Sequence, residues 1–155
     1  LSLDTTRACA HAARERGATV VINPSPIAFD YADLWALVDI VVANEDECRT
    51  LGDAASTARA ARNVVEAGAE AVIVTRGTQD TLVLDASGEQ TVPVRPTSAV
   101  DTTGAGDAFC GTVVAGLDSG LDLTAAVARG IAVAAFVVGR PGAIASFPRR
   151  DAIAS

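Results

Sequence analysis

The chain has 155 residues, half of them hydrophobic and a fifth charged, with a formal net charge of −7. That length suits one well-buried domain and hardly two. The acidic balance argues against nucleic acid or an anionic membrane as partner, because both demand a basic face.

Asp4 reads as an N-cap, and the polar, alanine-rich segment through Arg16 is helical, stopped by Gly17. This helix does not resemble a signal peptide. His11, the only histidine, lies in it and is expected to be structural or solvent-facing. "TVVIN" (19–23) is a short β-branched run suited to a buried strand, closed by the turn residues of "NPSP". Tyr31 to Leu37 is helical in pattern, "DIVVAN" (39–44) is a second buried strand, and "EDECRTL" opens another helix. Ser56 to Ala67 is an alanine-rich helix ended by Gly68, leading into a third strand, "AVIVT" (71–75). Helices alternating with fully apolar strands imply parallel βαβ units covered on both faces.

The pattern then changes. "TLVLD", "ASGE" and "QTVPV" (81–94) read as a β-hairpin at one sheet edge. After the glycine loop "DTTGAGD" (101–107), Phe109, Val113, Val114 and Leu117 mark one helical face. Thr124 to Val138 is apolar nearly all round and is expected to be deeply buried, "GRPGAIASF" is a loop, and Pro148 opens a last short helix. No run is long enough to span a bilayer. With few aromatics, the core is expected to consist of Ala, Val, Leu and Ile. Cys9, Cys48 and Cys110 lack metal-ligand spacing and read as free buried thiols of a reducing cytoplasm.

All twelve basic residues are arginine. The absence of lysine excludes the lysine-bearing phosphate loop. Without methionine, Leu1 is not expected to be a translation start, so the chain reads as part of a longer or processed protein. Three polar groups follow strands, where ligands of open α/β sheets gather: "NEDE" (44–47), "TRGTQD" (75–80) and the glycine loop. Each also has a plain structural reading. Asn44 is a helix cap, Gly77 a turn, and Gly104 and Gly106 a bend in the backbone. The sharper reading of the glycine loop is an anion held at a helix start, with Asp107 placed to take a proton.

These residues resemble the ribokinase-like, phosphofructokinase B-type carbohydrate kinases. "DTTGAGDAF" is similar to that family's C-terminal signature, "NEDE" to its N-E-x-E motif and "VTRG" to its nucleotide-binding strand end. "INPSP" is similar to the N-P-A-P segment of ribokinases proper, and motif order and spacing agree throughout. The resemblance implies a three-layer α/β/α fold with a mostly parallel central sheet and an antiparallel edge hairpin, present as a partial domain. Residues 1–155 would form the nucleotide-binding, catalytic C-terminal half, and the N-terminal substrate and lid half would be absent.

The implied activity is ATP-dependent phosphorylation of a sugar hydroxyl, with D-ribose the first acceptor. Fructokinase, 2-keto-3-deoxygluconate kinase, nucleoside kinase and a non-catalytic nucleotide-binding module remain alternatives. The resemblance makes Asp107 the base and Gly104, Ala105 and Gly106 the anion hole, with the N–H groups of Ala105, Gly106 and Asp107 forming its cup. ATP would meet Asn44, Thr75, Arg76, Gly77, Thr78, Gln79, Asp80, Gly106, Asp107 and Ile131. Glu47 would act through water on Mg²⁺. A K⁺ activator would lie by Asp101, Thr103, Val137, Arg140, Gly142 and Ser146. The intact enzyme would be a cytoplasmic homodimer. Arg76, Asp80 and Ile131 depart from the usual family pattern, in which a leucine, a glycine and a polar residue stand at these positions.

Overall fold

The computed structural model describes residues 2–149. It packs as two compact units, Leu1–Thr91 and Val92–Ser155.

The first unit opens with α1 (Leu3–Arg14), capped by Ser2. The Ser2 hydroxyl accepts from the Thr5 N–H at 3.2 Å, and the Ser2 carbonyl already accepts from Thr6 N–H at 3.0 Å. Asp4 is therefore not the expected cap. It lies in the first turn, where a negative charge suits the helix dipole. Gly17, at φ +67°, closes the C-terminus, and Ala18 N–H reaches back to Ala13 C=O at 3.0 Å, so the helix stops before Arg16. His11 is exposed in the last turns.

Strand β1 (Val21–Ile22) is shorter than the apolar run suggested. The neighbouring backbone is committed elsewhere: Asp39 takes the Val20 N–H, and Val20 C=O accepts from both Asp39 and Ile40. Arg14 pairs with the same Asp39, tying α1 to this strand start. A 3-10 turn (Ala32–Leu37), not an α-helix, leads to β2 (Ile40–Asn44) and α2 (Glu45–Leu51). Then follow α3 (Thr57–Glu66), β3 (Ala71–Arg76), β4 (Gln79–Asp85) and β5 (Gly88–Val92).

The strands lie in the order β1-β2-β3-β4-β5. The first three are parallel and β3 pairs antiparallel with β4. The strand β4 begins two residues earlier than the sequence suggested, because Gly77 (φ +62°) and Thr78 alone make the turn and Arg76 pairs with Gln79. Val41, Ala43, Val72, Val74, Leu82 and Leu84 share one core cluster. On the opposite faces of the same strands Val42, Ile73 and Val83 are also buried. Burial on both faces is why these strands read as unbroken apolar runs instead of alternating ones.

The core is not purely aliphatic, as composition had suggested. Phe29 stacks on Tyr31 (centroids 4.4 Å apart) and Tyr31 on Trp35 (5.7 Å), with Tyr31 and Trp35 inside the cluster. Cys48 is buried there, and desolvation pushes its thiol up to about 11. Cys9 is exposed, against the expectation of three buried thiols.

The second unit is built on α4 (Ala105–Asp118) and α5 (Leu123–Val138), which pack together. Their contact runs over small residues. A Cβ on Gly130 would lie 2.9 Å from the Phe109 ring and 3.0 Å from Val113, and one on Gly116 would lie 3.1 Å from Ala126 Cβ. The buried seam of α4 is Ala108, Phe109, Val113 and Gly116. Val114 is 42% exposed, because five residues from Phe109 carry it off the 3.6-residue stripe. Although α5 is apolar all round, only Ala126, Val127, Gly130, Val133 and Val137 are buried, a single stripe and not the deep burial expected. A 3-10 turn (Ile144–Ser146) interrupts the following loop. Pro148 and Arg149 are not helical, and the rest of the short helix expected there lies outside the described residues.

Candidate active site

The sequence-predicted residues fall into two groups, one in each unit. In the first unit, Asn44 ends β2 and Thr75 lies beside it in register near the end of β3. The parallel pairing places both polar groups at the carboxyl edge, as open α/β sheets require of a ligand site. Thr75 Oγ1 donates to Ala43 C=O at 3.4 Å.

Asn44 and Glu47 form a capping box at the start of α2. Asn44 Oδ1 accepts the Glu47 N–H at 2.9 Å, and Glu47 Oε2 accepts the Asn44 N–H at 2.9 Å. The plain reading of Asn44 as a cap therefore holds. The arrangement still leaves Glu47 Oε1 without a hydrogen-bond or ion-pair partner among the described residues. Arg76 Nε donates to Asp80 C=O at 2.6 Å, bracing the two-residue turn at Gly77 and Thr78. The guanidinium thus serves the hairpin, and the 75–80 segment is a tight turn with flanking strand residues instead of an open loop.

In the second unit, Gly104 is the N-cap of α4 at φ +80°, ψ −3°, a left-handed conformation that side chains other than glycine rarely adopt. Space is tight as well: a Cβ there would lie 3.1 Å from the Phe147 ring and 3.3 Å from Ala143 Cβ, so both neighbours would have to give. The kink swings the chain from loop to helix within one residue. Of the three N–H groups expected to form a cup, Ala105's already donates to Thr102 C=O at 3.2 Å. Those of Gly106 and Asp107 have no partner among the described residues, as the first turn of a helix dictates. Asp107 is exposed in that first turn. Three positions further on, the half-buried Cys110 thiol is raised by desolvation and by the Asp107 charge.

Asp101 is bonded at both oxygens. Oδ1 accepts the Thr103 N–H at 2.9 Å and Oδ2 accepts the Gly142 N–H at 2.9 Å. The Thr103 bonds foremost, then the Gly142 bond, hold its carboxyl below the ordinary carboxylate value. The other positions expected around K⁺ gather along the same two loops. Val137 C=O accepts the Arg140 N–H at 3.0 Å, and Arg140 lies over the Phe136 ring, 3.4 Å from its centroid. The buried Ser146 hydroxyl donates to Ala143 C=O at 2.6 Å. Ile131 is half-buried on α5. Among the described residues no group of three or more His, Cys, Asp or Glu is placed to hold a metal ion together. A cation here would accordingly be met by backbone carbonyls, water or ligand oxygens around isolated carboxylates. Among the described residues no helix is long and apolar enough to cross a membrane.

The fold places the chain in the ribokinase-like class of α/β proteins. Ribokinase from Thermotoga maritima superposes with a TM-score of 0.89 at 30% identity, over 96% of this chain and 51% of that one. The description "pfkB family carbohydrate kinase" matches residues 1–150, so the chain belongs to that family. Ribokinase from Haemophilus influenzae is 33% identical over 147 residues, 92% of this chain and 48% of the relative. An E. coli structure in complex with ATP and Mg²⁺ matches at 27% identity and TM-score 0.85, over 99% of this chain and 54% of that one. Other relatives of this family bear the names deoxyribokinase, cytidine kinase and adenosine kinase. The chain spans about half the length of the curated relatives it matches.

Proposed function

We propose that this chain is the nucleotide-binding, catalytic half of an ATP-dependent sugar kinase, with D-ribose as first acceptor. The observation that carries the reading is the start of α4. A left-handed glycine, walled by Phe147 and Ala143, delivers two unpartnered N–H groups and an exposed aspartate to one helix N-terminus.

The chemistry follows from that placement. The N–H groups of Gly106 and Asp107, reinforced by the helix dipole, stabilise negative charge on a transferring phosphoryl group. Phosphoryl transfer passes through a loose transition state, so charge stabilisation and alignment matter more than a strong base. Asp107 then accepts the proton of the attacking sugar hydroxyl late in the step. Asn44, Thr75 and the turn 76–80 of the first unit would hold the nucleotide. Mg²⁺ fits the unpaired Glu47 oxygen through a water, since this ion keeps much of its own hydration. K⁺ would lie beside Asp101, met mostly by backbone carbonyls of Thr103, Val137, Arg140, Gly142 and Ser146. When bound, these cations supply charge neutralisation.

Ribose is favoured over other acceptors by the ribokinases among the relatives and by "INPSP". The deoxyribokinase and nucleoside kinases keep a pentose common to the candidates. Within this reading the intact enzyme is a cytoplasmic homodimer. ATP-dependent ADP release by the intact gene product, assayed with ribose, deoxyribose, fructose, adenosine and cytidine, tests it. Ribose should give the highest kcat/KM. No acceptor-dependent release with any of them would overturn the kinase reading.

A further inference from the structure

Helix α2, seven residues long, is too short to hold itself in water, so its direction is set by what its ends meet. Its start continues from β2, where Asn44 is fixed in register beside Thr75. Its end is seated on α3. Gly52, the C-cap, is buried so closely against that helix that a Cβ would overlap the Ala60 backbone, 2.5 Å from its Cα. The Gly52 carbonyl, at the helix end where such groups lack an intrahelical partner, accepts from Asn63 Nδ2 at 2.7 Å. Asn63 is half-buried one turn along α3 from Ala60, on the same face. Thr57 adds longer ties, its hydroxyl meeting Glu45 Oε1 at 3.3 Å and Arg49 Nη1 at 3.4 Å. The Asn63 bond is the shortest of these.

We propose that Asn63 is a positioning residue: by holding the far end of α2 against α3, its amide sets the direction in which Glu47 points. This rests on the reading of Asn44 and Glu47 as nucleotide and Mg²⁺ residues. The two differ in what fixes them. Asn44 belongs to the sheet and keeps its place when α2 tilts, whereas Glu47 follows the helix. Glu47 stands three residues beyond Asn44, about 4.5 Å of helix rise, so a tilt of about 20° at the end of β2 moves its backbone by about 1.5 Å. That displacement also strains the two 2.9 Å bonds of the capping box. A carboxylate acting on a metal through water depends on such outer contacts for its aim. Loss of the Asn63 amide therefore weakens the response to Mg²⁺ and leaves the hold on ATP in place.

Asn63→Leu keeps the side chain's size and removes the donor; Asn63→Ala removes both and carries the same comparison should the leucine variant fail to fold. Arg62→Gln, which breaks only the 3.6 Å ion pair of α3 with Glu89, is the control for general loosening of that helix. All are made in the intact gene product. Amides 44, 47 and 52–54 should exchange hydrogen about tenfold faster in the Asn63 variants, with those of β3 unchanged and Arg62→Gln matching the parent. With ribose and ATP, the Mg²⁺ concentration for half-maximal activity should rise about tenfold. At saturating Mg²⁺, KM for ATP and kcat should stay within about threefold of the parent. Parent-like exchange at amides 44 and 47 would overturn the proposal, showing that the bond fastens only the helix end. An equal Mg²⁺ shift in Arg62→Gln would also overturn it, as would a loss confined to KM for ATP. If the parent phosphorylates no sugar, faster exchange at amides 44 and 47 upholds the anchor and only the kinase reading falls.

Discussion

Glu47 has two roles in this account, and a pair of substitutions pulls them apart. As a cap, its Oε2 accepts the Asn44 N–H at 2.9 Å. As a metal residue, its unpaired oxygen acts on the water shell of Mg²⁺. Glu47→Ala removes both. Asn44 is exposed, so water replaces the lost acceptor, and the cost should be about 0.5–1.5 kcal/mol, the net worth of one such bond. Glu47→Gln keeps an amide oxygen for the Asn44 N–H and removes only the charge at the helix start, worth about 0.3–1 kcal/mol. If the carboxylate orients metal-bound water, both variants should raise the Mg²⁺ concentration for half-maximal activity about 10- to 100-fold. The assays are urea unfolding and Mg²⁺ titration of ribose-dependent ADP release, both on the intact gene product. A Gln variant whose Mg²⁺ curve overlays the parent's would show that Glu47 is a cap and nothing more.

Gly104→Ala should lose about 1–2 kcal/mol for the left-handed backbone alone, with a further cost as Phe147 and Ala143 give way, and kcat should fall with it; unchanged unfolding midpoint and kcat would refute the cup geometry. Asp101 has its folded pKa held below the ordinary 3.8, so its bonds stabilise above that value and are lost as pH falls through the lower folded one. The stability gap between parent and Asp101→Asn should thus be largest near neutrality and close below pH ~4 in acid-denaturation curves, whereas a gap independent of pH would contradict the assignment. Residues 1–155 purified alone should release no ribose-dependent ADP, because in-line transfer needs a held acceptor, and turnover comparable to the intact product would place the sugar site within this sequence.

The buried strands were legible because apolar runs on both sheet faces leave few alternatives to β2 and β3. The cap at Asn44 and the turn at Gly104 were likewise legible from local residues, whereas the reciprocal bond from Glu47 was not read. Three features were hidden because they depend on residues far apart in the chain. The shortening of β1 comes from Asp39, nineteen positions beyond Val20, intercepting its N–H. The Asp101–Gly142 bridge joins residues 41 apart, and nothing local to Gly142 announces it. The aromatic stack runs from Phe29, which precedes the segment that periodicity assigned as helical, to Tyr31 and Trp35 within it. The misplacement of Val114 has a different cause, since valine content marked the helix as apolar but not which of its sides faces α5. One member of the glycine cup was misjudged for a local reason: Thr102 C=O takes the Ala105 N–H in the turn that enters the helix.

The central claim is that Asp107, at the start of α4, removes the proton of the attacking hydroxyl. The direct measurement is ribose-dependent turnover of Asp107→Asn in the intact gene product, beside ATP binding by calorimetry. The substitution is nearly isosteric and Asp107 is exposed, so folding should be unaffected. The account predicts that kcat falls by about 10²–10⁴ while ATP still binds within a few-fold of the parent. Turnover within a few-fold of the parent, with ATP bound normally, would contradict it.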